Sequence, residues 1–172
     1  MLITKKKQGC KGITNKGLDY FFQDLPSDLK EFDLNLIKSS IKLTDEAFDH
    51  LKQSLFINSV EKFSFAYSCD TMKNYSLYTH DVLLKISQCY MPCLKYLSLD
   101  LKDCISIKSD SLDIMAYELP SQLKHLQINI DNCEDINDEN LNHFLKNIKP
   151  SLTGLTLFGR KSLYQLLQEE DK

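Results

Sequence analysis

Two cysteines four positions apart, Cys89-Tyr-Met-Pro-Cys93, come closest in this sequence to a metal-binding pair. A structural zinc ion takes four ligands, usually from two such pairs. No second pair occurs, and Cys104 and Cys133 fall at equivalent points of a repeat described below. Packed thiols are therefore expected rather than ligands. The four histidines, His50, His80, His125 and His143, are scattered, and no HExxH pattern brings two of them together. Gly12-Ile-Thr-Asn-Lys-Gly17 has its glycines at the distance of a phosphate loop. Leu18-Asp19 stands where a Lys-Ser/Thr pair would hold the phosphates and magnesium. Neither GxSxG nor GxGxxG is present. Lys5-Lys6-Lys7 reads as a solvated basic arm. A small metal-dependent enzyme would need titratable side chains that converge, and this pattern offers none. The chain is read as non-enzymatic, with no catalytic residue, cofactor or metal.

The 172 residues carry a formal charge of −3, with 21 Lys+Arg against 24 Asp+Glu. That balance argues against a strongly basic nucleic-acid binder, and the length suits one domain with a core that needs no staples. No apolar run approaches the ~20 residues of a membrane span. The longest, from Leu77 to Ile86, is broken by His80, Asp81 and Lys85. No apolar segment follows the charged start, so no secretory signal is expected and the six cysteines should be reduced. The sequon Asn74-Tyr75-Ser76 then has no route to a glycan. The expected setting is cytoplasmic or otherwise intracellular, with cytoskeletal, ciliary and mitochondrial assemblies all open. Arg160 is the only arginine among many lysines, a bias of the kind an AT-rich protist genome produces.

The elements that would position any site emerge from an internal repeat. Five segments read apolar-x-x-apolar-x-apolar, beginning at Leu29, Val60, Leu94, Leu123 and Leu152. Alternate apolar residues such as Leu97/Leu99/Leu101 or Leu126/Ile128/Ile130 make a short strand with one buried face. Strands are expected near 29–36, 60–67, 94–101, 123–130 and 152–158. A second recurring element is Ile/Leu, a short polar cluster, then an apolar helical period. It begins at Ile13, Leu43, Ile107 and Ile136, with a looser copy at Thr79-His-Asp81. Short polar side chains there cap the free N–H groups of a helix start. Pro26, Pro120 and Pro150 end three of the helices. The unit is strand, loop, capped helix and turn, about 29 residues long. Burying a Leu, Ile or Phe contributes roughly 1.5–3 kcal/mol, so a unit this small folds only when a neighbour covers it. Stacking aligns the strands in a parallel sheet with the helices in an outer layer.

This pattern resembles the leucine-rich repeat family, whose unit reads L-x-x-L-x-L-x-x-N/C-x-L. It is closest to the longer ribonuclease-inhibitor-like and cysteine-containing repeats. Cys10, Cys104 and Cys133 each stand seven residues after Ile3, Leu97 and Leu126, and Ile13-Thr-Asn-Lys-Gly-Leu18 resembles that subtype's helix start. Two repeats depart from it. One has the aromatic ladder Phe63, Phe65 and Tyr67 with an expanded loop from Cys69 to Tyr78, and one has Ser39 in place of the cysteine. The resemblance implies an α/β solenoid over residues 1–161, a short right-handed horseshoe arc with parallel strands inside and helices outside. Residues 162–172 are expected to form a C-terminal capping helix and tail. The segment from Met1 to Lys11 is expected to be a strand-bearing half repeat, frayed or covered by something else because Lys5 and Lys7 occupy ladder positions.

Within each strand the x residues face away from the core and should form three columns. The first is Glu31, Lys62, Tyr96, His125 and Gly154. The second is Asp33, Ser64, Ser98, Gln127 and Thr156. The third is Asn35, Ala66, Asp100, Asn129 and Phe158. The face is polar and mildly acidic, and Tyr96 and Phe158 could anchor a contact. Family resemblance implies a protein-binding scaffold or adaptor, a subunit of a larger intracellular assembly whose partners are other proteins. Related substrate-recognition arms of ubiquitin ligases carry an F-box before the repeats. Too few residues precede Ile13 for one, so that role would need a longer chain.

Overall fold

Alternation of apolar and polar residues in the repeated segments sets the architecture. The computed structural model describes residues 2–5, 13–37, 45–68, 82–89, 91–104, 107–159 and 162–167. Strands β1 (Leu2–Lys5), β2 (Glu31–Asn35), β3 (Lys62–Ala66), β4 (Tyr96–Asp100), β5 (His125–Asn129), β6 (Gly154–Gly159) and β7 (Ser162–Leu167) form one sheet in chain order. Helices α1 (Asn15–Gln23), α2 (Asp45–Gln53), α3 (Val82–Ser87), α4 (Ser109–Glu118) and α5 (Asp138–Asn147) alternate with them. The first six strands are parallel, and β7 returns antiparallel to β6.

The register aligns equivalent residues of every repeat. Phe32, Phe63, Leu97, Leu126 and Leu155 form one row across the sheet, and Leu34, Phe65, Leu99, Ile128 and Leu157 form the next. Both rows are buried, while the residues between them are partly or fully exposed. The helices pack into the same core through Leu18 and Phe22, Phe48 and Leu51, Leu83 and Ile86, Leu112 and Met115, and Leu141 and Phe144. The sheet therefore has one covered face and one open face. The aromatic repeat extends this order sideways: the Phe32 and Phe63 rings stack with centroids 5.7 Å apart and 9° between planes.

The strands are shorter than the apolar segments that produce them. Leu29, Leu94, Leu123 and Leu152 each close a turn, donating to the carbonyl three residues back. Each enters the core from that turn instead of from the strand, because the chain must reverse after the preceding helix. At the other end, Leu36, Tyr67, Leu101 and Ile130 still donate to the neighbouring repeat.

Two loops show how the strands hand over to the helices. Asp103 and Asn132 adopt left-handed backbone, with φ of 62° and 60°, a conformation that short polar side chains tolerate. The next residues, Cys104 and Cys133, are fully buried. Their thiols donate to Tyr67 O at 3.4 Å and Leu101 O at 3.5 Å, each in the preceding repeat. The recurring cysteine is thus a small apolar filler with one donor for a buried carbonyl. Thr14 caps α1 by accepting from Gly17 N at 3.1 Å, and Asn137 caps α5 in a reciprocal pair with Asn140. The helix-start residues Leu43 and Thr44, the position of Ser39, and the loop from Cys69 to Tyr78 lie outside the described residues.

Two expectations for the ends are corrected. Ser162–Leu167 is a strand, not a capping helix. Six residues are too few for a stable isolated helix, and the free edge of β6 offers a ladder of N–H and C=O groups across a two-residue connection. Residues 168–172 lie outside the described set. At the other end the half repeat does carry a strand, and its residues 2–5 are paired rather than frayed, with Ile3 beside Phe32 and Lys5 beside Leu34. Backbone pairing does not require an apolar side chain at position 5.

The buried and open registers give a sharp test. Leu99→Asp or Ile128→Asp should destabilise by about 2–7 kcal/mol, much of a total of about 5–15 kcal/mol. Ser98→Asp or Gln127→Asp should change it by about 1 kcal/mol at most. Urea unfolding followed by circular dichroism compares the four variants, and similar losses in both pairs would show the in/out phase to be wrong.

Candidate functional site

The three expected columns stand in register on the open face. The first is a connected row. Glu31 Oε2 lies 4.0 Å from Lys62 Nζ, at the limit of an ion pair. Lys62 Nζ sits 5.2 Å from the centre of the Tyr96 ring, a distance at which the ring quadrupole attracts a cation. The Tyr96 and His125 rings follow with centroids 6.1 Å apart. His125 then lies across Gly154, where an added Cβ would stand 2.6 Å from its Nδ1. Glycine at 154 is what leaves that ring its place. Tyr96 Oη donates to Gln127 Oε1 at 3.3 Å, tying the first column to the second.

The other columns divide between free polar groups and groups already at work. Asp33, Ser64, Ser98 and Thr156 stand in the middle of the face, partly exposed. In the third column, Asn35 and Asn129 accept from the backbone N–H two residues on, Ile37 at 3.0 Å and Asp131 at 3.1 Å. Asn129 also donates to Asp100 Oδ1 at 3.0 Å. These asparagines shape the strand exits through Asx turns. Phe158 closes that column and is 36% exposed.

A rim of charge borders the first column and was not singled out from the sequence. It comprises Lys30, Glu61, Lys95 and Lys124, the residues just before β2, β3, β4 and β5. Glu61 lies 3.2 Å from Lys30 and 2.7 Å from Lys95. The hydrogen bond from Lys95, then that from Lys30, hold the Glu61 carboxyl below its ordinary range, and Glu61 raises Lys95 in turn. The phase of the repeat contained the signal, since all four immediately follow the turn residue Leu29, Val60, Leu94 or Leu123. At the strand exits the charge changes sign, with Asp100, Asp103, Asp131 and Asp135 there. Lys102 pairs with Asp131 at 3.3 Å, and Lys108 with Asp135.

Among the described residues the groups with chemical potential lie apart. Cys89 is buried and donates to Lys85 O at 3.5 Å, whereas Cys93 is exposed. Burial pushes the Cys89 thiol up to about 12, which opposes the thiolate that zinc requires. His50 Nδ1 lies 3.0 Å from Asp19 and His143 Nδ1 lies 2.6 Å from Asp113, each pair bridging neighbouring helices. Among the described residues no three His, Cys, Asp or Glu side chains come together as a metal site would need. Gly17 lies in the first turn of α1. Gly12, Cys10, Cys69 and His80 lie outside the described residues. The hollow lined by Cys89, Met91, Leu97, Met115 and Leu119 has a volume of about 20 Å³, room for roughly one water. Among the described residues no helix is long and apolar enough to cross a membrane.

Two measurements check these environments. At pH 8 a maleimide should label Cys93 quickly and spare Cys89, Cys104 and Cys133 until denaturant is added, as read by peptide mass mapping. Equal labelling of Cys89 and Cys93 would contradict the buried thiol. The lowered Glu61 carboxyl favours the fold above the ordinary carboxylate range, and that contribution is lost as pH falls through its lowered value. Glu61→Gln should therefore flatten the acid limb of the stability–pH curve, and an unchanged limb would show that the Lys30–Glu61–Lys95 cluster contributes nothing.

Compared with known proteins, the chain matches no family model, and no curated protein matches it.

Proposed function

We propose that this chain is a short leucine-rich-repeat solenoid that binds another protein and serves, without catalysis, as a scaffold or adaptor subunit of a larger intracellular assembly. The in-register rungs and the helices on one face support the repeat reading. The observation that carries the binding reading is the row Glu31–Lys62–Tyr96–His125 over Gly154. Tyr96 is held between a cation and a second ring, so little of its freedom remains to be lost on contact. A fixed aromatic amid polar neighbours is the make-up of an interface anchor. The alternation of basic strand entries with acidic strand exits would orient a partner laid across the strands.

The test is proximity labelling in native cells with the wild type and a Lys62→Ala/Tyr96→Ala/His125→Ala variant. The variant should keep its circular dichroism spectrum and unfolding midpoint, because these side chains lie outside the core. A defined set of labelled proteins should be present for the wild type and at least about tenfold reduced for the variant. An identical set for both would remove the open face from the proposal.

A further inference from the structure

Charge is distributed unevenly over the open face. The residues just before β2 to β5 are joined through their backbones. Glu61 N donates to Lys30 O at 2.8 Å, Lys95 N to Glu61 O at 2.8 Å and Lys124 N to Lys95 O at 2.9 Å. Neighbouring positions in this ladder stand about 4.8 Å apart. At the β2–β3 end the charges cancel in pairs, Lys30 with Glu61 at 3.2 Å and Lys62 with Glu31 at 4.0 Å. At the β4–β5 end they do not. Lys95 shares Glu61 with Lys30, and among the described residues no carboxylate lies within ion-pair distance of Lys124. Both lysines are exposed.

The exits of the same two strands carry the opposite sign. Beyond the strand ends, Lys102 pairs with Asp131 and Lys108 with Asp135. Asp100, the last residue of β4, stays on the open face with no cation paired to it among the described residues. A chain of bonds orients its carboxylate. Asp131 N donates to Asn129 Oδ1 at 3.1 Å, and Asn129 Nδ2 donates to Asp100 Oδ1 at 3.0 Å. Asp33 is the other open-face carboxylate without such a cation, but it stands on β2, two strands from β4, and has no comparable anchor among the described residues.

We propose that the partner of the open face is a protein segment of two opposite charges, with carboxylates over Lys95 and Lys124 and a basic side chain over Asp100. This rests on the open-face reading above and adds the partner's chemistry to it. Lys95 and Asp100 are five steps apart in the chain, which is about 16 Å in a strand. The two poles attract together only a partner whose charges have that separation, and they fix the direction in which it lies. Tyr96 and His125 directly follow the two lysines and offer a ring surface to the stems of the partner's side chains. The anion is a carboxylate and not a phosphate, because Glu61, 2.7 Å from Lys95, already holds part of that charge and repels a second negative charge on the guest. Asp100 and Asp33 likewise oppose a nucleic-acid backbone laid on this face.

The test is an NMR titration of the full, isotope-labelled chain with two end-blocked peptides of one composition. In Glu-Glu-Ser-Thr-Ser-Thr-Lys-Lys the inner charges stand five residues apart, and in its isomer Ser-Thr-Glu-Glu-Lys-Lys-Ser-Thr they are adjacent. The spaced peptide should shift the amides of Lys95, Lys124 and Asp100 together and bind about threefold or more tightly than the isomer. Lys124→Glu should weaken it about fivefold and Asp100→Asn about twofold, whereas Asp33→Asn should leave it unchanged. Equal affinity for the two peptides, or no saturable shift at these amides, overturns the proposal. Tighter binding of the spaced peptide with phosphoserines in place of its glutamates also overturns it, in favour of a phosphopeptide. Proximity labelling separates this proposal from the reading beneath it. Lys124→Glu/Asp100→Lys leaves Lys62, Tyr96 and His125 in place and should lose the proteins labelled by the wild type. If that set survives here but is lost in Lys62→Ala/Tyr96→Ala/His125→Ala, the open face stands and the charge match falls.

Discussion

Lateral stacking of Phe32, Phe63, Leu97, Leu126 and Leu155, with a second row one step along each strand, is the interaction on which the other features depend. Each repeat has a strand with few core residues and one short helix, and neither buries its apolar side alone. Register is strongly specified here, since a slip of one residue would turn every buried leucine or phenylalanine to the open face. Correct register also creates the three polar columns. The core and the candidate site thus arise from one alignment, seen from opposite faces of the sheet.

The connections hold that alignment at the strand exits. Asp103 and Asn132 turn the chain through left-handed backbone, and Cys104 and Cys133 drop into the core just after them. The side chains also link adjacent loops, since Asn132 Nδ2 donates to Asp103 Oδ1 at 2.8 Å. A thiol suits this position because it is small and nearly apolar yet can serve a buried carbonyl. The same argument accounts for cysteines in a chain whose described thiols make no disulfide. It also separates them from Cys93, which is exposed and has no such partner carbonyl in a neighbouring repeat.

The open face is built from the residues left over by this packing, but it is not uniform. Its entry side is a linked row of charge and rings from Glu31 to His125, its exit side is tied down by Asx turns, and Phe158 stands exposed at its far end. A polar sheet face needs no cover, whereas a row of pre-placed rings gains from contact.

The repeat itself was legible in the amino-acid order. Side chains alternate across a strand, so apolar-x-x-apolar-x-apolar named the buried rows, the three open columns and the helix starts at Thr14 and Asn137 before any coordinates. Strand ends were less legible, because Leu29, Leu94, Leu123 and Leu152 are equally buried whether they lie in a strand or in the turn before it. Ser162–Leu167 was misread because its apolar residues satisfy both a two-residue and a helical period over so short a run. Only the neighbouring edge of β6 decides between them. The row joining Lys62, Tyr96, His125 and Gly154 belongs to tertiary structure alone. Its members are 29 to 34 residues apart in sequence, and they touch only because the parallel strands lie in register.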